Sequence, residues 1–161
     1  GMEDWVSIFL TVFLPMICLS DVFITKFMYK KTKSFVISVL IDLSIVLILS
    51  LVLVFVLKLT FIFSFILMVL TTLSSALIAN CTTVQVPLYL KNSKVNSGFL
   101  AGFLNGFCYI GSAIGTYVLG KIIDTGDWSN IFVVYILISG LSLLLTIVYL
   151  IVNKINKVKI A

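Results

Sequence analysis

The stretch from Ser34 to Leu57 runs for 24 residues with one charge, Asp42. Crossing ~30 Å of hydrocarbon as a helix takes about 20 mostly apolar residues, so this run has the length and purity of a membrane span. Four further runs qualify: Trp5–Phe27, Thr60–Pro87, Gly98–Gly120 and Ser129–Val152. Strands of a lipid-facing barrel alternate apolar and polar residues over about 10 positions, and these runs do not. The expected fold is therefore all-α: a polytopic membrane protein of five transmembrane helices. They form a single domain over residues 1–161, with a cytoplasmic tail expected at 153–161.

Composition points the same way. Of 161 residues, 61% are hydrophobic and 11% charged, against roughly 45–50% and 25% in soluble domains. A soluble core of this size still exposes roughly 30% of its chain surface and cannot hide that much apolar area. Disorder, a nucleic-acid-binding module and an ordinary cytosolic enzyme are excluded. The first partner is the lipid bilayer, and no nucleic acid is expected.

Charge supplies the orientation. All 11 basic residues are lysine, and the net charge is +5. Lys26, Lys30, Lys31 and Lys33 follow the first run, Lys91 and Lys94 the third, and Lys154, Lys157 and Lys159 the fifth. These alternate ends lie on one side and hold nine lysines, against two (Lys58 and Lys121) on the other. The positive-inside rule makes the nine-lysine side cytoplasmic, in a multi-pass plasma-membrane protein with its N-terminus outside and C-terminus inside. Glu3, Asp4, Asp124 and Asp127 fall on the outer side. An outside N-terminus without a basic signal-peptide region, followed by an odd number of spans, leads to the expectation of an incomplete chain.

The absence of histidine excludes most hydrolytic triads, zinc sites and His-based proton relays. Cys18, Cys81 and Cys108 show neither metal-ligand nor disulfide spacing and read as buried free thiols. No metal, no cofactor and no enzymatic activity are expected.

The polar and small residues within the runs are the candidate site. Gly98, Gly102 and Gly106 repeat every four residues, as do Gly111 and Gly115. Such spacing clears a helix face for close approach of a neighbouring backbone. Static packing is one use of such a face; sliding during a conformational cycle is another. Asn105 and Tyr109, four residues apart, add polar groups of the kind that point into a bundle interior or a water-filled cavity. Asp21 and Asp42 each fall ~12 Å inside the same boundary at ~1.5 Å per residue. They could be coupling or gating carboxylates, or interfacial acids bonded to Lys26, Lys30 or a helix end. Asn80, Thr82, Thr83 and Gln85 precede Pro87 and could bond back to their own helix or face a cavity. Pro15 should kink the first span.

Val86-Pro87-Leu88-Tyr89, the glycine-rich segment with Tyr109-Ile110-Gly111, and the turn from Gly120 through Asp124 and Gly126 to Trp128 together resemble the major facilitator superfamily. Asp127 sits as an extra residue between Gly126 and Trp128. The resemblance covers the last 75 or so residues and is nearest the organophosphate:phosphate antiporters, such as glycerol-3-phosphate and hexose-phosphate transporters. Asp21 with Lys26, Lys30, Lys31 and Lys33 resembles that superfamily's loop between helices eight and nine, with Ile17 where glycine is usual. The resemblance implies helices eight to twelve of a twelve-helix transporter that works by alternating access on a small anionic substrate. It also implies that the phosphate-binding arginines lie on helices outside this chain, which would not transport alone. The competing expectation is a small membrane scaffold or accessory subunit that packs through the glycine-rich fourth span.

Overall fold

In the computed structural model, residues 8, 12–56, 61–90, 96–124, 126 and 129–155 are described, all of the regular structure among them being helical. Trp5, Lys58, Lys91, Lys94, Asp127, Trp128 and the tail beyond residue 155 lie outside the described residues. We number the helices α1 (Leu14–Cys18), α2 (Asp21–Thr32), α3 (Phe35–Val56), α4 (Phe61–Asn80), α5 (Val86–Tyr89), α6 (Ser97–Ile123) and α7 (Ser129–Ile155), with a π-turn, Cys81–Gln85, joining α4 to α5.

Four helices among the described residues are long and apolar enough to cross a membrane: Phe35–Val56, Ile62–Tyr89, Ser97–Asp124 and Ser129–Lys154. These match four of the five expected spans. The remaining one, over residues 5–27, is not a continuous span in its described part. Its path tightens at Leu19 and Ser20, where ψ falls to −20° and −14°. There the Ser20 hydroxyl donates to Ile17 O at 2.6 Å instead of capping α2. Pro15, expected to kink the segment, stands in the first turn of α1, where its missing N–H costs nothing. The break comes one turn later. Beyond it α2 runs to Thr32, so Lys26, Lys30 and Lys31 lie on a helix and not in a loop.

The α2–α3 connection is tight because Lys33 adopts the left-handed region, φ 55°, and donates its N–H to Tyr29 O at 2.7 Å. Among the described non-glycine residues, Lys33 alone has a positive φ, outside the range that L-residues favour.

α3 is the element against which the rest assembles, packing along α4 on one side and α7 on the other. Its buried residues Phe35, Ser38, Asp42, Val46, Ser50 and Leu53 recur at three- and four-residue steps. Along α4 and into the π-turn the buried positions Ser64, Leu67, Thr71, Ser74, Leu77 and Cys81 do likewise. Both seams are rich in small hydroxyl residues, which let helix backbones approach when lipid supplies no hydrophobic drive between them. Leu53, Leu67 and Phe132 form the apolar core, backed by Leu49, Val54 and Val56. Large apolar side chains elsewhere, among them Phe55, Ile62 and Leu137, point outward. An outward apolar surface is what a chain solvated by lipid presents.

Of the three thiols expected to be buried, only Cys81 is. Cys18 is half-buried and Cys108 exposed on α6, though all three are free.

Gly140 of α7 faces α3 with room for a methyl group but not for a large side chain: an added Cβ would stand 3.8 Å from Leu47 Cδ1, an ordinary contact. Gly140→Ala should therefore leave the thermal midpoint in detergent nearly unchanged. Gly140→Phe should lower stability by about 1–3 kcal/mol through overpacking. A midpoint insensitive to phenylalanine would show that α7 does not seat on α3 there.

Candidate functional site

Two polar features emerge, one buried and one outward. The buried one lies where α2 meets α3 and the π-turn. Asp21, Thr25, Tyr29 and Thr32 recur along one face of α2, at the spacing that stacks side chains one turn apart. All four turn inward. The Asn80 amide donates to Asp21 Oδ1 at 3.1 Å, and the Gln85 amide donates to Asn80 Oδ1 at 3.2 Å. Gln85 and Asn80 bracket the π-turn, so its wider coil is tied to α2 through one carboxylate. Thr32 Oγ1 stands 2.9 Å from Ser38 Oγ, while the Ser38 hydroxyl also reaches Ser34 O at 3.0 Å. Tyr29 stacks on Phe35 at 4.1 Å between centroids, and Tyr89 meets Phe35 edge-on at 5.4 Å. These rings close the boundary end of the cluster.

The π-turn has a local cause. Pro87 carries no N–H to continue an α ladder. Thr82 and Thr83 donate to Ile78 O and Ala79 O at 2.9 and 2.7 Å, which loads those carbonyls. The Val86 N–H accordingly reaches back five residues to Cys81 O.

Asp42 is 2% exposed, and its Oδ1 has no hydrogen-bond partner among the described residues. It lies within electrostatic range of Cys81, which is fully buried with Sγ 3.9 Å from Phe35 O. The two aspartates thus have separate environments: an amide holds Asp21, and Asp42 is enclosed with a thiol. Lys26 and Lys30, the expected partners of the acids, are exposed on the other face of α2. The Asn80–Asp21 contact was not anticipated; its signal is an amide residue inside an apolar run, just ahead of a proline.

The outward feature is α6. Asn96 caps it, its side chain accepting from Gly98 N at 3.0 Å and Phe99 N at 3.1 Å. Asn105 and Tyr109 are exposed, Tyr109 to 78%. At about 100° per residue they share one stripe with Gly98 and Gly102, with Gly106 at its edge. An added Cβ at Gly102 or Gly106 would meet no neighbouring atom within 4 Å. Gly111 and Gly115 face elsewhere, because the five-residue step from Gly106 rotates the pattern. With Ile114 and Val118 they line a cavity of about 330 Å³ against Val134, Tyr135 and Ile138 of α7. The two glycine series therefore clear different faces. Away from the stripe, Phe99, Phe103 and Phe107 form an outward ladder with centroids 6.1 and 4.9 Å apart.

No protein-family model matches the chain, and no solved structure matches it. One curated protein is similar over a short stretch, the membrane sensor protein UhpC of Escherichia coli strain K12. It is 37% identical over 57 residues, which are 35% of this chain and 13% of the relative. The likeness is to a fraction of a much longer membrane protein.

A buried carboxylate oxygen without a partner is costly, so it is kept against stability. Asp42→Leu should hold or raise the thermal midpoint in detergent, while Leu43→Asp, one position along α3, should lower it, at a cost of at least about 2 kcal/mol in stability. Unfolding of the Asp42→Leu variant would show that the carboxylate has a stabilising role in the folded chain.

Proposed function

We propose that these helices belong to the C-terminal half of a major facilitator-type secondary transporter and contribute one wall of its translocation cavity. The observation that carries this reading is the α6 stripe. Asn105 and Tyr109 lie eight and twelve residues into a 27-residue helix, about 12 and 18 Å from its start. Polar groups at that depth belong against protein or water. The glycines beside them leave the backbone open, as a moving contact or a substrate path requires. Support comes from the sequence resemblance around Pro87, Tyr109-Ile110-Gly111 and Gly120–Asp124, and from the short similarity to a much longer membrane protein.

Under this reading the substrate is a small anion, with organophosphate exchanged for inorganic phosphate as the resemblance implies. The cationic groups that hold it lie on helices that this chain does not contain. Alternating access then rocks the α6 face past its counterpart around a midplane site. The nine-lysine side is cytoplasmic. Flux requires the remaining helices, and the chain by itself carries none.

A second reading follows from the relative being a sensor by name: the same cavity binds its anion and signals without passing it. Counterflow of labelled phosphate and a hexose phosphate, in vesicles holding these helices together with the rest of the transporter, separates the two. Transport predicts exchange that falls at least about tenfold in Asn105→Leu and Tyr109→Phe variants. Saturable binding without exchange supports the sensor. Neither binding nor exchange would reduce the α6 face to packing and leave a scaffold.

A further inference from the structure

α2 is built inside out relative to a helix of a soluble protein. Its polar residues turn inward: Asp21 to Asn80, Thr32 to Ser38, and Thr25 buried between them. Its outward face carries Phe23, Lys26, Phe27 and Lys30, at i, i+3, i+4 and i+7, with Lys31 beside Lys30. That spacing is one helix face. Phe23 and Phe27 are 75% and 68% exposed, and all three lysines are exposed.

Level matters as much as direction. Thr32 pairs with Ser38 and Tyr29 stacks on Phe35, so the C-terminal end of α2 lies level with the start of α3, a 22-residue span. The lysines of the last turn therefore stand at that span's boundary. Lys26 lies about 6 Å deeper and Phe23 about 10 Å deeper, at ~1.5 Å per residue. Phenylalanine in the acyl layer with lysine reaching up from it is an arrangement suited to the headgroup region. The acid of α2 does not neutralise this face, because Asp21 is turned to the opposite side and held by Asn80.

We propose that the outward face of α2, Phe23 and Phe27 beneath Lys26, Lys30 and Lys31, is a docking surface for the headgroups of anionic phospholipids. The lysines supply charge for the phosphodiester, and the two rings lie along the first methylenes of the acyl chains. A soluble phosphate would engage the charges but leave the rings without a role. The proposal is independent of transport, since it concerns the exposed side of a helix that is not part of the α6 face. A competing use of the lysines is to complement the C-terminal dipole of α2, which would need no particular lipid.

Native mass spectrometry of the full chain, released from mixed bilayers of phosphatidylglycerol and phosphatidylcholine, distinguishes these. Each lysine near an anionic surface contributes on the order of a fivefold preference. The chain should retain phosphatidylglycerol over phosphatidylcholine by at least about that factor. Lys26→Gln, Lys30→Gln and Lys31→Gln combined should lower the preference at least about fivefold, whereas the three corresponding arginine replacements preserve it. Lys121→Gln, at the far end of α6, should leave it unchanged. Parity between the lipids, or an undiminished preference in the triple glutamine variant, would overturn the proposal. So would a triple glutamine variant that melts earlier with its lipid preference intact, which is the dipole result. Displacement by inorganic phosphate beyond that by sodium chloride of equal ionic strength would overturn lipid as the occupant.

Discussion

Hydrocarbon offers no hydrogen bonds, so a hydroxyl or amide within the membrane that finds no partner inside the chain carries a cost, as Thr25 and Ser50 do among the described residues. Most of this structure is a response to that constraint. Ser44, Thr71, Thr72, Ser75, Ser139 and Thr146 each donate to the carbonyl four residues back on their own helix, at 2.7–2.9 Å. Satisfied in this way, they act as small packing residues. They can line the α3–α4 seam and the α7 approach without demanding anything from a neighbour. Where a polar group does reach across, as Asn80 does to Asp21, it fixes how two helices meet. Double-mutant measurements in membrane proteins give such bonds about 0.6 kcal/mol on average. They specify geometry more than they stabilise it.

The spans were legible because length and hydropathy depend on solvent alone, and Phe35–Val56 falls within one residue of its expected bounds. The region before α2 was not legible in the same way. Its composition is apolar, but Ser20 closes on Ile17 and a new helix begins at Asp21; a window average does not register such a local hydroxyl bond. The lysines then misled in a simple manner. They read as a loop because they are charged, yet they lie on a helix whose polar inward face holds it to α3 and α4.

The site was legible in part for a related reason. Asn105 and Tyr109 follow from helical periodicity and are found on one stripe. The two glycine series look alike in sequence but differ by the phase of one five-residue step, which sends Gly111 and Gly115 toward α7. The Asn80–Asp21 contact joins residues 59 apart and depends on the π-turn, so no local pattern contains it. Asp42, plain in sequence as a lone charge, is set apart in the structure by the burial of its unpaired oxygen.

A transporter of the proposed kind requires α6 to turn Asn105 and Tyr109 toward water and its phenylalanine ladder toward lipid. Single cysteines placed along residues 98–114, with the native thiols replaced, test this with a membrane-impermeant thiol reagent in native membranes. Reaction at positions 98, 102, 105 and 109, with protection at 99, 103 and 107, is the predicted pattern. Protection all around the helix, or reaction confined to the phenylalanine positions, would contradict it.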